Sequence, residues 1–193
     1  MPTAARIERQ RAMLLVIDLQ TKLLPHIEED DLVVAATTAL LDGAEIFEIP
    51  VVATVQYVKG LGHTHSTPAA ALQRIGVEPL EKMAFSVCGD DAAKQRIAEQ
   101  NRDQVIVAGI EAHVCVMQTV LDLLEMGLKP YVCTDAVSSR YGLDVDVAML
   151  RMQEAGAAIT TTEAVLFELC GLSGTPEFKK LLNVVKTFDE ARK

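Results

Sequence analysis

The 193-residue chain lacks several features, and each absence closes off a class of function. No uninterrupted apolar run reaches eighteen residues, so no membrane-spanning helix is expected. No basic patch is present. Lysines and arginines are scattered, and the Lys179–Lys180 pair reads as a solvated helix face. With a formal net charge of −9, the chain would be repelled by phosphate backbones, which argues against a nucleic-acid partner. The four cysteines, at positions 88, 115, 133 and 170, show no CxxC spacing. In a chain of this size that does not suggest a disulfide framework, and a reducing, cytoplasmic compartment is expected. The first twelve residues carry three arginines but no apolar h-region, so no secretory signal is read; an organellar location stays open. There is no linker, composition break or internal repeat, so residues 1–193 are read as one domain.

What is present is a globular composition, 50% hydrophobic and 23% charged. Four short, β-branched, nearly continuous apolar runs stand out: Met13–Asp18, Val51–Tyr57, Gln104–Gly109 and Lys129–Asp135. Such runs read as strands buried on both faces. Pro79–Lys82 and Ala157–Glu163 are weaker strand candidates. Helical patterns fall between them at Asp31–Phe47, from Gly89 onward, Val114–Met126, Asp144–Ala155, Glu163–Cys170 and Pro176–Phe188. Strands alternating with helices imply a three-layer α/β/α sandwich around a six-stranded parallel sheet, Rossmann-like in plan. The Gly-, Thr- and His-containing stretch from Lys59 to Gly76 reads as a long loop with one helical turn.

Ligands in such folds bind beyond the carboxyl ends of the strands. Asp18 ends the first strand, Lys82 the short third one, and Cys115 lies past the fourth where a helix begins. Their wide sequence separation means only a sheet could gather them. A thiol near a helix start, beside an ammonium, is expected to favour its thiolate and to react selectively below pH ~8. A carboxylate can take the thiol proton and return it to a leaving group. The amides of Val114 and Cys115 are candidates for an oxyanion hole. Each residue also has a plainer reading: Cys115 as a small core residue, Asp18 as a turn or cap, Lys82 as a solvated charge. Composition and spacing alone do not decide between the two.

Four stretches in order carry a resemblance: LLVIDLQ at 14–20, EKMAFSVC at 81–88, VIVAGIEAHVCVMQTVLDLLEMG at 105–127 and TDAVSSR at 134–140. Together they resemble the isochorismatase-like, or cysteine hydrolase, family over roughly residues 10–170. QYVKGLG at 56–62 resembles the isochorismatase-domain-containing branch. The resemblance implies a catalytic triad of Asp18, Lys82 and Cys115. It also implies a non-proline cis peptide at Ile110–Glu111 that aims backbone amides at the oxyanion. The implied activity is hydrolysis of a small amide or related carbonyl through a thioester. Two alternatives remain: vinyl ether hydrolysis with Asp18 as the acid, and a noncatalytic scaffold or binding protein. A thiol redox sensor is a third, weaker option.

Candidate substrate-binding residues are Leu19, Gln20, Tyr57, Phe85 and Tyr141, with core packing an equal alternative for Phe85. Nicotinamide-hydrolysing relatives resemble one another in a metal site that places an acid where this chain has Gln56, a poor zinc ligand. No metal or cofactor is therefore expected, and His63 and His65 are read as loop residues or substrate contacts. A homo-oligomer, dimer or tetramer, is implied. The last helix, from about residue 176, carries Leu181, Leu182, Val184, Val185 and Phe188, which would pack back on the monomer or against another subunit.

Overall fold

A computed structural model describes residues 6–193. The reading of the N-terminal twelve residues therefore lies partly outside the described residues. Six strands form one parallel sheet: β1 (Ala12–Ile17), β2 (Val51–Gln56), β3 (Leu80–Lys82), β4 (Gln104–Ile110), β5 (Lys129–Ser138) and β6 (Ala158–Thr160). Their spatial order is β3-β2-β1-β4-β5-β6. The order reverses between β1 and β4, which pair in parallel from Ala12↔Gln104 to Ile17↔Gly109. That is the topological switch point, where the connections diverge and leave a crevice.

Helices cover both faces. One layer holds α1 (Asp30–Phe47), α3 (Ser66–Arg74), α7 (Thr162–Cys170) and α8 (Pro176–Ala191). The other holds α4 (Asp91–Glu99), α5 (Met117–Glu125) and α6 (Gly142–Ala155). Alternate residues of β1 divide between the two cores: Leu14 and Val16 join the α1 side, Met13, Leu15 and Ile17 the α5 side. This explains the continuous apolar runs, because neither face of a central strand meets water. Capping follows the sequence closely. Asp90 accepts from the Ala93 amide at 3.0 Å to start α4, and Thr175 does the same for Phe178 ahead of Pro176 in α8. No helix among the described residues is long and apolar enough to cross a membrane.

Two readings change. The stretch expected to be a long loop holds a short helix, α2 (Val58–Leu61), and the nine-residue α3. The glycines and histidines of the first half masked the second half, where Ala-rich sequence buries Pro68, Ala71 and Leu72 against the core. The choice left open for the last helix is also settled: Leu181, Val185 and Phe188 are buried in the chain's own core, with α8 lying along α1.

The switch point depends on one glycine. Gly109 has φ +130°, and a Cβ placed on it would lie 2.1 Å from the Ile17 carbonyl oxygen. Its register against β5 slips by a bulge between Val107 and Gly109, turning the end of β4 toward the site. Gly109→Ala therefore meets both a forbidden dihedral and a backbone collision. We expect a loss of at least ~2 kcal/mol, read as a Tm drop of roughly 5 °C or more in a circular-dichroism melt. An unchanged Tm would remove this constraint.

Candidate active site

Beyond the carboxyl ends of β1, β2, β3 and β4 lies a buried polar cluster. Lys82 ends β3, two strands from β1, and its side chain reaches across the end of β2. Its Nζ donates to Asp18 Oδ2 at 2.7 Å and to Gln56 Oε1 at 2.6 Å. It also meets the carbonyls of Ala84 at 3.2 Å and Phe85 at 3.0 Å, and lies 3.6 Å from Cys115 Sγ. The Lys82–Asp18 ion pair has both side chains fully buried. The second oxygen of Asp18 accepts from the Thr54 hydroxyl at 2.8 Å. The two charges are thus desolvated but well partnered, the condition for a buried pair to persist. Asp18 itself sits at φ 55°, a left-handed conformation that turns its side chain off the strand into the crevice.

Cys115 enters from β4. The Ile110–Glu111 peptide is cis, and the chain then runs through a five-residue π-helical turn, Ala112–Val116, before α5 begins. The Glu111 carbonyl accepts the amides of Val114 at 3.1 Å and Val116 at 3.2 Å. Thr119, one turn on, donates to the Cys115 carbonyl at 2.6 Å and accepts the Val87 amide at 2.9 Å. The turn bearing Cys115 is thereby tied to the segment that follows Lys82. Of the two amides read as an oxyanion hole, Val114 N–H already has an acceptor in the resting structure.

The cysteine is 6% exposed, and its thiol pKa is pushed up to about 12. Burial is the largest cause and the Asp18 carboxylate the next, while Lys82 pulls the other way. This direction runs against the expectation of a thiolate reactive below pH 8. Desolvation and a facing carboxylate outweigh the ammonium. The surroundings of Cys115 therefore favour its protonated thiol.

The other residues singled out in the sequence divide into two groups. Leu19 and Gln20 are buried, at 1% and 0% exposure. Leu19 belongs to the core on the α1 side. The Gln20 side chain mimics a strand peptide: its Oε1 accepts the Gln56 amide at 2.7 Å, and its Nε2 donates to the carbonyls of Gln56 and Gly62. It stitches the chain after β1 to the end of β2, and no polar atom of it is left for a ligand. Tyr57, Phe85 and Tyr141 are exposed, all on segments at the carboxyl end of the sheet, so the core reading of Phe85 fails. His65 starts α3, its ring accepting from the Thr67 amide at 3.4 Å. His63 lines a separate cavity of 610 Å³ between β2, β3 and α3, which contains none of Asp18, Lys82 or Cys115. His113 turns away from Cys115 toward Ser139, 3.0 Å from its Nδ1. Glu111 binds Arg140 at 2.9 Å rather than facing the thiol.

Thr54 and the orienting role of Gln56 were not found from sequence. Gln56 stood out only as a position where a metal ligand was missing. Thr54 becomes visible only once Ile17 is registered against it.

A parallel α/β/α sandwich with an ion pair and a thiol buried at its switch point defines a class: proteins built for chemistry at the strand ends of a doubly wound sheet. The isochorismatase-domain profile matches residues 12–164. Isochorismatase domain-containing protein 2 of Homo sapiens is 34% identical over 186 residues, 96% of this chain and 88% of that protein. The structure of MAR1 ribonuclease from Caenorhabditis elegans superposes with a TM-score of 0.88 at 40% identity, covering 94% of this chain and 93% of that one. The ycaC gene product of Escherichia coli, described as an octameric hydrolase of unknown specificity, gives 0.90 at 23% identity, covering 100% and 95%; at that distance it shows the shared fold. The chain belongs to the isochorismatase-domain family.

The sign of the thiol shift gives a direct expectation. The folded thiol is pushed above its ordinary value of 9.0, so this group stabilises the fold below pH 9 and loses that contribution as pH rises toward about 12. Titration of thiolate ultraviolet absorbance, in a Cys88→Ser background, should place Cys115 well above 9. Asp18→Asn should lower that value and Lys82→Met should raise it. A wild-type titration at or below 9 would contradict this electrostatic picture.

Proposed function

We propose that the protein is a cysteine hydrolase acting on a small-molecule amide or related carbonyl through a thioester. Family membership supports a hydrolase in general; the finer reading rests on the buried residues. The observation that carries it is the placement of one ammonium, Lys82 Nζ, 2.7 Å from Asp18 Oδ2 and 3.6 Å from Cys115 Sγ. A base, an electrostatic partner for it and a nucleophile thus converge at a switch point.

In this mechanism Asp18 takes the Cys115 proton as the sulfur attacks the carbonyl carbon. Burial pushes the Cys115 thiol up, so the proton leaves for Asp18 only as the sulfur bonds to the carbonyl carbon, in one concerted step. Lys82 compensates the negative charge as it moves from carboxylate to sulfur. Amides of the Val114–Cys115 turn receive the developing oxyanion, with Val114 shifting its bond from the Glu111 carbonyl. Removing one oxyanion-hole donor typically costs about 3 kcal/mol of transition-state stabilisation in acyl-transfer enzymes. The protonated Asp18 then gives its proton to the leaving amine. Water, deprotonated by the same carboxylate, cleaves the thioester and releases the acid. Three titrating groups in contact act as one coupled system rather than with three private pKa values.

The relative named a ribonuclease raises RNA as a substrate. Two features favour a small molecule instead. The chain carries a net charge of −9, and the reacting groups are buried, at 0% exposure for Asp18, 1% for Lys82 and 6% for Cys115. A polynucleotide backbone would have to enter an enclosed, acidic protein. The ether-cleaving reading needs Asp18 alone and leaves Cys115 without a part.

The test is acyl-enzyme trapping. Wild-type protein mixed with a panel of small amides and activated esters, quenched in acid within a turnover, should gain the acyl mass on the Cys115 peptide. Cys115→Ser and Asp18→Asn should lower turnover by ~10³-fold or more. Full turnover in Cys115→Ser, with no acyl adduct in the wild type, would sink the thioester and favour the ether reaction. No turnover and no adduct across the panel would favour a binding protein.

A further inference from the structure

The helix α6 (Gly142–Ala155) departs from what a surface helix requires. A helix lying on a core buries one stripe and turns a polar face to water. The inward face of α6 conforms. Ala148 and Met152 are fully buried on the α5 side, with Val145 and Met149 packed beside them. The outward face does not conform. Leu143, Val147 and Leu150 recur at intervals of four and three residues. At about 100° per residue they lie opposite Ala148 and Met152. They are 74%, 49% and 55% exposed, and Tyr141, just ahead of the helix, is exposed as well.

An exposed apolar stripe rimmed by charge marks a contact face, and the rim indicates what covers it. Asp146 flanks the stripe on one side and Arg151 on the other. Both are exposed, and neither makes a hydrogen bond or ion pair among the described residues. The four-three spacing is that of a seam between paired helices. Leu143 and Leu150 take its d positions, Val147 the a position between them, Asp146 the g position and Arg151 the e position. When two such helices pair in parallel about a twofold axis, the g residue of one faces the e residue of the other. Asp146 then meets Arg151 of a second copy, and symmetry makes that contact twice. Antiparallel pairing brings like flanks together and forfeits it. Glu154, next on the seam in the last turn, is an i,i+3 neighbour of Arg151 on its own helix. A lipid surface fits less well. Membrane-lying helices carry lysine and arginine beside the apolar stripe, whereas Arg151 is the only cation of α6, against Asp144, Asp146 and Glu154.

We propose that the outward stripe of α6 is a self-association face, which seats on α6 of a second copy of this chain, parallel to it about a twofold axis. Leu143, Val147 and Leu150 supply the apolar contact. The reciprocal Asp146–Arg151 pairs set its direction and its choice of partner. The other helix crowded with apolar residues, α8, already buries Leu181, Val185 and Phe188 in the chain's own core. The inference is independent of the reading of Cys115 as a nucleophile.

The experiment is sedimentation equilibrium of the full-length chain across the micromolar range, with charge exchange at the rim. The wild type should form dimers, or assemblies built from them. Asp146→Arg and Arg151→Asp each bring like charges together across the seam. Each should raise the dissociation constant at least tenfold, or halve the mass of a larger assembly. The double variant restores opposite charges and should return to within threefold of the wild type. Leu150→Glu should break the contact by itself. All three positions are exposed, so each variant is expected to fold, and far-ultraviolet circular dichroism checks that it does. A wild type that stays monomeric overturns the proposal, even where it binds anionic vesicles or another protein. Association that the single exchanges leave unchanged places the contact on another face and also overturns it. Single exchanges that weaken association without recovery in the double variant overturn the Asp146–Arg151 pairing, and with it the parallel arrangement.

Discussion

The site depends on one ammonium kept away from water. Removing a charge of that size from solvent costs several kcal/mol, and the cost must be met by partners fixed in advance. Lys82 has three protons to donate, and the fold surrounds them with a carboxylate, an amide oxygen and two backbone carbonyls. Each comes from a different constraint. Asp18 is turned inward by its left-handed backbone. Gln56 is held because its backbone amide and carbonyl are both taken by Gln20. The Ala84 and Phe85 carbonyls are aimed by the turn that closes on Thr119 of α5 through Val87. Loosening any of these would leave a buried charge short of acceptors, so the positions of Asp18 and Cys115 follow from satisfying the lysine.

The sheet order supplies the rest. A parallel sheet in the order β3-β2-β1-β4-β5-β6 sets the ends of β1 and β4 side by side at the point where their connections part. Asp18 leaves one end and the cysteine turn leaves the other. The long lysine side chain then bridges the two-strand gap that its own position at β3 creates. Gly109, which passes too close to the Ile17 carbonyl to carry a Cβ, permits β1 and β4 to end together. Backbone geometry at the strand ends and electrostatics at the cluster are therefore parts of one arrangement.

Much of this was legible in the sequence because burial on both faces writes itself as continuous apolar runs. Strands such as Val51–Gln56 and Gln104–Ile110 start where the sequence placed them. The alternation of strands and helices fixed the parallel plan, and Asp18, Lys82 and Cys115 were singled out by lying at strand ends. The parts that were not legible depend on pairing across the sheet. Nothing local in β2 distinguishes Thr54 or Gln56 as partners of a charge on another strand. Gln20 looked like a pocket residue because it follows Asp18, but the geometry uses its amide as a replacement strand edge. The forces on the thiol were only half legible for a related reason: sequence shows a helix start and a lysine, but not the depth of burial or the carboxylate in contact, which push the thiol up. The helix at Ser66–Arg74 was hidden by the glycines and histidines before it.

The proposed mechanism starts from a protonated Cys115 thiol, pushed up by burial, whose proton passes to Asp18 only as the sulfur attacks. The S–H stretch in the Raman spectrum reports it directly. A difference spectrum of wild type minus Cys115→Ser at neutral pH isolates this thiol from the cysteines at 88, 133 and 170. An S–H band in that difference, lost when Cys115 is alkylated, is the predicted result. Its absence from correctly folded wild-type protein would mean the sulfur rests as a thiolate, and would contradict the assignment of Asp18 as the group that takes its proton.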